Sequence, residues 1–297
     1  MHRLRRNHRG HRGCAGRSGG RVSVLLPGSL AEALETLAAD PELVPMAGGT
    51  DLLVHWPQHT ELHLHSYLDL SGVEELRPHR WEADELVLGG LTTYWDMIED
   101  RRAWSELPLL IDAARQVGSI QIQTRGSWAG NIVNASPAAD GVPVLMAYDA
   151  VVVLESTRGR SMVPLSEFYS GYKEMRRSPD ELVTEIRVPR RAYDIQFFEK
   201  VGSRRSQAIT KVGVAVTRSD AGWRVVANSV APFVCRCPAV ERILEEGAAV
   251  RGPGDLLPAI REDVAPIDDI RSTAEYRENV LARILYFDLL DLCPSFG

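Results

Sequence analysis

The order of the predicted secondary-structure elements most constrains the fold of this 297-residue chain. The first part alternates strand segments at 22–26, 43–46, 66–70, 85–88, 150–154 and 181–189 with helix segments at 30–39, 50–54, 92–98, 107–117 and 142–148. The second part has consecutive strands at 196–200, 212–218 and 223–230, then helices at 240–246 and 274–290. Alternation is typical of α/β layers, and strands followed by helices are typical of an antiparallel α+β unit. We therefore predict an α+β chain in two parts, with a junction near Pro189–Tyr193.

Composition and charge narrow the class of protein. The apolar fraction of 44% and charged fraction of 25% are those of a soluble globular protein. No apolar run approaches the ~18 residues that a membrane span needs. Residues 1–20 carry six arginines and no acid, so the remainder of this chain of net charge −6 is markedly acidic. That balance argues against nucleic-acid binding by the folded body, and it favours a disordered basic tail over a targeting peptide or a nucleic-acid arm.

The cysteines predict neither a disulfide framework nor a metal cluster. Cys14, Cys235, Cys237 and Cys293 are scattered, which fits a reducing, cytoplasmic location. The Cys235-Arg-Cys237 pair lacks a second pair that would complete a zinc or iron–sulfur site. We interpret these residues as structural thiols.

Other familiar site motifs are absent or weak. The chain contains no G-x-G-x-x-G after a strand, no Walker A loop and no G-x-S-x-G elbow. Four histidines cluster at His55, His59, His63 and His65. Zinc-binding histidines at i, i+4 need a helix, and Pro57 interrupts the first pair, so a solvated loop and strand edge is favoured over a metal site.

The segment Ala47-Gly-Gly-Thr-Asp-Leu52 directly follows a predicted strand. A phosphate approaches backbone N–H groups most closely where Cβ is absent, as at Gly48 and Gly49. Successive N–H groups in such a turn form an anion-binding concavity, and a helix beginning at Thr50 would add its positive end. The alternative is an ordinary strand–turn–helix junction.

The segment Gly126–Asp140 has the same character. It places two Gly, two Asn, two Ser and one Asp among apolar residues, which predicts a loop against a polar ligand. Ser127 and the amides around Gly130 and Asn131 are candidates for a second phosphate face. Asp140 either caps the following helix or accepts hydrogen bonds from a ligand. Two such loops predict one shared ligand that carries phosphate.

Together these segments resemble the FAD-binding subunit of the molybdenum hydroxylases, the family of xanthine dehydrogenase and aerobic CO dehydrogenase. The resemblance covers about residues 21–292. Its motifs, in order, are Ala47–Leu52, Thr124–Asn131, Ala135–Asp140, Lys200–Arg205 with the strand after it, and Glu275–Arg277. Trp128-Ala129 stands where the family usually has Ile-Gly, which places one extra Cβ in the second loop.

The resemblance implies a fold and a site. The fold is a PCMH-type FAD-binding domain of two α/β subdomains over residues 21–191, then a CO dehydrogenase flavoprotein-like domain with an antiparallel sheet over 194–292. The implied FAD contacts are Met46, Ala47, Gly48, Gly49, Thr50, Asp51, Leu52, Ser127, Trp128, Ala129, Gly130, Asn131, Asp140, Val183 and Lys200. Neither loop contains a histidine, so the resemblance implies non-covalent FAD.

The resemblance also implies a division of labour. A large molybdopterin subunit and a small [2Fe–2S] subunit would be partners, as a dimer of heterotrimers, with electrons leaving through FAD to NAD⁺ or another acceptor. No catalytic residue, metal ligand, nucleic-acid partner or membrane span is expected in this chain. Two alternatives stay open: a stand-alone PCMH-type flavin oxidoreductase, and a non-catalytic assembly subunit that has lost FAD.

Overall fold

The computed structural model describes residues 23–55, 65–204 and 207–293. Within these residues the helices are α1 (Leu30–Ala39), α2 (Leu52–His55), α3 (Tyr94–Glu99), α4 (Arg101–Glu106), α5 (Pro108–Gln116), α6 (Ile120–Gln123), α7 (Trp128–Asn134), α8 (Gly141–Ala147), α9 (Pro238–Glu245), α10 (Leu257–Asp263) and α11 (Ala274–Leu292). The strands are β1 (Val24–Leu25), β2 (Val44–Met46), β3 (Tyr67–Asp69), β4 (Arg80–Trp81), β5 (Glu85–Gly89), β6 (Val151–Ser156), β7 (Gly159–Pro164), β8 (Tyr169–Gly171), β9 (Glu174–Met175), β10 (Leu182–Pro189), β11 (Ile195–Gly202), β12 (Thr210–Ser219), β13 (Gly222–Asn228) and β14 (Cys235–Arg236). The predicted mixture of helix and sheet is confirmed.

Local capping chemistry sets several helix boundaries. Ser29 caps α1, because its hydroxyl accepts a hydrogen bond from the Glu32 amide at 3.2 Å. The Glu32 carboxylate accepts a hydrogen bond from the amide of Gly28 instead of that of Ser29, so only half of a capping box forms. Thr93 and Asp96 form a complete, reciprocal capping box at the start of α3.

The first part of the chain contains two larger sheets of different kinds. The smaller is parallel, with strand order β1-β3-β2. The larger is antiparallel, with order β4-β5-β10-β6-β7, and β10 pairs with both β5 and β6. Ion pairs cross its solvent face, including Arg80–Glu185 at 2.8 Å and Arg187–Glu85 at 2.5 Å. Helices α5, α7 and α8 line the other face, with a core that includes Leu86, Ile186 and Val152.

The second part is a four-stranded antiparallel sheet of order β11-β12-β13-β14. Gly222, with φ of +90°, lies in the turn of the hairpin that β12 and β13 form. Helices α9, α10 and α11 cover one face, and Leu281, Leu285 and Leu289 of α11 are buried there as the helical stripe predicts. The opposite face contacts α8, where the Thr217 hydroxyl donates to the Ala147 carbonyl at 2.8 Å.

The structure corrects the prediction for Gly126–Asp140, because residues 128–134 form the helix α7. Low intrinsic helix propensity of its glycine and asparagines is overridden by burial of Trp128 and Ile132, both 0% exposed. Elements β4, β7–β9, β14, α4, α6 and α10 were not predicted, since most are short or lack a clear apolar period.

Other predictions concerned the basic tail, metal sites and membrane spans. The tail and two of the clustered histidines, His59 and His63, lie outside the described residues. Cys237 is buried at the start of α9, and no group of three potential metal ligands occurs in the part of the chain that the structure describes. No helix among those residues is long and apolar enough to cross a bilayer.

Candidate functional site

A cavity of about 530 Å³ lies where the carboxyl end of β2, the start of α7 and the start of β10 meet. This volume is within the range of small-molecule and cofactor sites, roughly 300–1,000 Å³. Most of the predicted contact residues line it, namely Met46 through Leu52, Ser127, Ala129, Gly130, Asn131 and Val183. The fold therefore brings together two loops that are about 80 residues apart in sequence, as the shared-ligand prediction required.

Gly48 makes the approach of these two loops possible. A Cβ at this position would lie 1.7 Å from the Arg125 carbonyl oxygen and 2.5 Å from its carbon. Only glycine permits that backbone contact. The sequence predicted glycine here for closeness to a phosphate, but the structure shows that the first requirement on Gly48 comes from the second loop.

The first loop presents backbone donors that the fold leaves unused. Gly49 has φ of +69°, a left-handed conformation that turns the chain after β2. Among the described residues, the amides of Ala47, Gly48, Gly49 and Thr50 have no acceptor within the chain. These residues are half-buried, and successive N–H groups that face a cavity without a protein acceptor are suited to an anion.

The second loop uses its amides differently. The Ser127 hydroxyl caps α7 by accepting from the Gly130 amide at 3.0 Å, and the Asn131 amide donates to the Ser127 carbonyl at 3.1 Å. These two amides were predicted to hold phosphate, but in this structure they build the first turn of α7. One side-chain atom of this wall is unpaired: the buried Asn131 Oδ1 has no hydrogen-bond partner among the described residues.

A direct hydrogen bond connects the two walls. Asn134 Nδ2, near the end of α7, donates to Asp51 Oδ1 at 3.1 Å. Behind them, the ring of Tyr94 packs on Trp128 with centroids 4.8 Å apart. Trp128 is therefore a core residue that supports the wall and does not line the cavity.

Asp140 and Lys200 also lie outside the cavity lining and form an ion pair of 2.6 Å. The other Asp140 oxygen accepts from the Thr210 hydroxyl at 2.5 Å, and Lys200 also donates to the Gln116 carbonyl at 2.9 Å. Asp140 occupies the position before α8 but makes no capping hydrogen bond, so the capping interpretation is wrong. Burial raises the pKa of Asp140, and Lys200 opposes that rise. Direct contact of either residue with a cofactor stays a prediction.

The cavity is also lined by residues that were not predicted as contacts, among them Tyr94 and Arg177. Tyr94 looked like an ordinary apolar residue of a helix. Burial raises its pKa well above the ordinary tyrosine value, so the phenol stays protonated. Only their placement beside two distant loops distinguishes these residues, and a single sequence has no signal for it.

Comparison with known proteins agrees with this geometry. The family described as the FAD-binding domain in molybdopterin dehydrogenase matches residues 20–191. This chain belongs to that family, and it is an FAD-binding subunit of the molybdenum hydroxylase group of oxidoreductases.

Two curated relatives span nearly the whole chain. The xanthine dehydrogenase FAD-binding subunit of Escherichia coli O157:H7 is 29% identical over 267 residues, which cover 85% of this chain and 89% of that protein. The nicotinate dehydrogenase FAD-subunit of Eubacterium barkeri is 30% identical over 285 residues, covering 89% and 95% respectively. Among solved structures, the carbon monoxide dehydrogenase of Hydrogenophaga pseudoflava matches with a TM-score of 0.77 at 26% identity, covering 89% of this chain and 93% of that one.

The residues present fit an FAD molecule. The unpaired amides of Ala47–Thr50 suit a diphosphate, and the apolar side chains of Leu52, Val117 and Val183 suit the flat face of a ring. Asp51 and Asn134 offer hydrogen-bonding groups for hydroxyls at the same cavity. This donor set matches a large ligand that is apolar at its ring and anionic at its centre.

Proposed function

We propose that this chain is the electron-transfer subunit of a molybdenum hydroxylase complex. It would receive electrons from [2Fe–2S] clusters of a small partner subunit and pass them through FAD to NAD⁺ or another acceptor. A large molybdopterin subunit would carry out the substrate hydroxylation, in a cytoplasmic dimer of heterotrimers. The relatives named as xanthine and nicotinate dehydrogenase subunits support this role.

Bound FAD supplies the redox chemistry, since it accepts and releases one or two electrons. The protein contributes binding and orientation. We propose that the Ala47–Thr50 amides hold the diphosphate, that Val183 packs on the ring, and that the Asn131 side chain bonds a polar group of the cofactor. The absence of histidine from residues 46–52 and 127–131 supports a non-covalent cofactor.

We further propose that residues 21–191 form the FAD domain and residues 194–292 a second domain. The sheet of β11–β14 has its own core with α9–α11, which supports this division. The Asp140–Lys200 pair joins the two, because Asp140 precedes α8 and Lys200 lies on β11.

The single observation that carries the proposal is the cavity between two loops whose first wall has four unpaired amides. The purified chain, reconstituted with FAD, should show flavin absorption bands after desalting. Acid precipitation should release the flavin to the supernatant. A chain that folds but retains no flavin would contradict the proposal and favour an assembly subunit.

A second experiment separates an electron-transfer subunit from a stand-alone oxidase. The FAD-loaded chain is mixed with purines, N-heterocycles and aldehydes in the absence of other subunits. We expect no substrate-dependent reduction of the flavin, whereas dithionite should bleach it fully. Turnover of any of these substrates by the isolated chain would favour the oxidase.

A further inference from the structure

Arg177 lies in the turn that leads into β10, and it is one of the residues that line the cavity. Among the lining residues of the described chain it is the only lysine or arginine. The carboxylates that line the same cavity belong to Asp51 and Glu181. A cation at a cavity that we assign to a dianionic cofactor is a candidate to bind that cofactor.

The hydrogen bonds of Arg177 leave most of its guanidinium unused. Nη1 donates to the carbonyl oxygens of Ser178 at 3.2 Å and Glu181 at 2.6 Å, which explains how the turn is held. Nε is buried without a partner in the described chain, and Nη2 has no acceptor there either. A guanidinium has five N–H donors in a rigid fork, so one edge of this group remains available.

The charge of Arg177 is only partly compensated, by the Glu181 carboxylate. Within the described residues, no carboxylate oxygen lies within 4.0 Å of its guanidinium. By contrast, the adjacent Arg176 forms an ion pair with Glu167 at 3.1 Å. Burial lowers the pKa of Arg177, and the Glu181 carboxylate opposes that shift. Charges away from water are normally paired, and this half-buried guanidinium forms no close ion pair within the described residues.

The anion that would complete this pair follows from the charges around the cavity. The Ala47–Thr50 amides are neutral, and Asp51 adds a negative charge to the same loop. A diphosphate held by that loop therefore needs a cation nearby. Guanidinium is well suited, because its fork matches two phosphate oxygens.

We propose that Arg177 binds the diphosphate group of the flavin dinucleotide, opposite the Ala47–Thr50 amides. This assignment rests on the proposed function. Arg177 then has two roles: one edge of its guanidinium holds the turn before β10, and the other edge neutralises the cofactor. Binding of FAD would couple the first loop to β10 through this one side chain.

The test compares Arg177→Gln with Arg176→Gln in the full-length apo chain. Arg176 is the matched control, since it is adjacent, of the same type, and exposed away from the cavity. Dissociation constants are measured by calorimetry for FAD, for ADP as the diphosphate probe, and for riboflavin as the ring probe. We expect R177Q to weaken FAD and ADP binding by roughly ten- to hundredfold and riboflavin binding by less than about threefold. R176Q should resemble the wild type with all three ligands.

Other outcomes decide against the assignment. Equal loss for riboflavin and ADP would show that Arg177 acts through the fold alone. A shift in the flavin midpoint potential with unchanged ADP affinity would place the guanidinium at the ring. If R177Q does not fold, R177K decides, because it keeps the charge without the fork and should lose more affinity for ADP than for riboflavin. Failure of the wild type to bind FAD would overturn the proposed function itself, which distinguishes the two failures.

Discussion

The cavity wall and the network around Asp140 differ in how they satisfy their polar groups, although the sequence predicted the same role for both. On the wall, amides of Ala47–Thr50 and the Asn131 Oδ1 atom have no partner in the described chain. In the network, Asp140, Lys200 and Thr210 are hydrogen-bonded to one another or to backbone. The two regions are adjacent, since a Cβ on Gly141 would lie 2.9 Å from Asn131 Oδ1.

This difference is the one expected between a ligand-binding surface, here the cavity wall, and a group of residues that connects two elements, here the Asp140 network. Unpaired buried groups are costly, and they persist where a ligand supplies the partner. A buried charge pair that is complete holds two elements together without a ligand. We therefore expect substitutions on the cavity wall to weaken FAD binding more than they lower stability. Substitutions in the Asp140 network should lower stability more than they weaken FAD binding. Gly48 is the exception on the wall, because its backbone contacts that of Arg125.

Gly48→Ala should give the largest effect, because it disrupts the backbone contact between the two loops. Its Cβ would overlap the Arg125 carbonyl, so the two loops must separate. We expect a loss of about 3 kcal/mol or more in the free energy of unfolding, together with loss of FAD binding. Urea unfolding and flavin retention measure the two effects. Gly254→Ala is the control, since no atom lies within 4 Å of its added Cβ. Wild-type FAD retention in G48A would show that the loops need not touch.

Asp140→Ala should give the next largest effect. It leaves the Lys200 ammonium buried with only the Gln116 carbonyl as a remaining partner in the described chain. Removing one member of a buried ion pair costs about 3–5 kcal/mol. The control is Glu167→Ala, which breaks an exposed pair with Arg176 and should cost less than about 1 kcal/mol. Equal costs for the two variants would remove the distinction between the network and the surface.

Gly49→Ala tests the wall by conformation alone. An added Cβ meets only ordinary contacts, at 3.6 Å from Leu53 and Met46, but φ of +69° is unfavourable for alanine by about 1–2 kcal/mol. We expect that loss of stability and a weaker FAD affinity, both smaller than in G48A. Calorimetric titration of FAD measures the affinity. An effect equal to that of G48A would mean that the loop conformation, and not its contact with Arg125, controls the site.

These positions also show which features of the fold can be predicted from the sequence. The helix at 30–39, the strands at 212–218 and 223–230 and the helix at 274–290 depend on local sequence, and each was predicted within a few residues. The pairing of β5 with β10 joins segments about 100 residues apart, and periodicity does not encode such a partner. Each loop alone also fits a plain turn; the similar composition of the two predicted one shared ligand that carries phosphate, and the family resemblance identified that ligand as FAD.

The residues that escaped prediction share one property. Arg177 is a half-buried arginine in a turn, and Tyr94 is an aromatic residue in a short helix. Their residue types are common in such places, so nothing marks them until the fold sets them around a cavity. Asp140 is the opposite case, because its position before α8 favoured a role as helix cap. Its carboxylate instead accepts hydrogen bonds from Lys200 on β11 and Thr210 on β12.

Asp288 is a partly buried carboxylate that has no ion pair with a cation among the described residues, and solvent screening of this partly exposed group should make its effect the smallest. Burial, with repulsion from Glu199 and then Asp291, raises its pKa from 3.8 to about 6. The folded chain therefore binds this proton more tightly than the unfolded chain, so stability falls as pH rises from 3.8 through about 6. Asp288→Asn removes that loss. Its unfolding midpoint should exceed the wild type at pH 7.5 and approach it near pH 4, whereas a pH-independent gain would mean that the carboxylate does not titrate as its surroundings require.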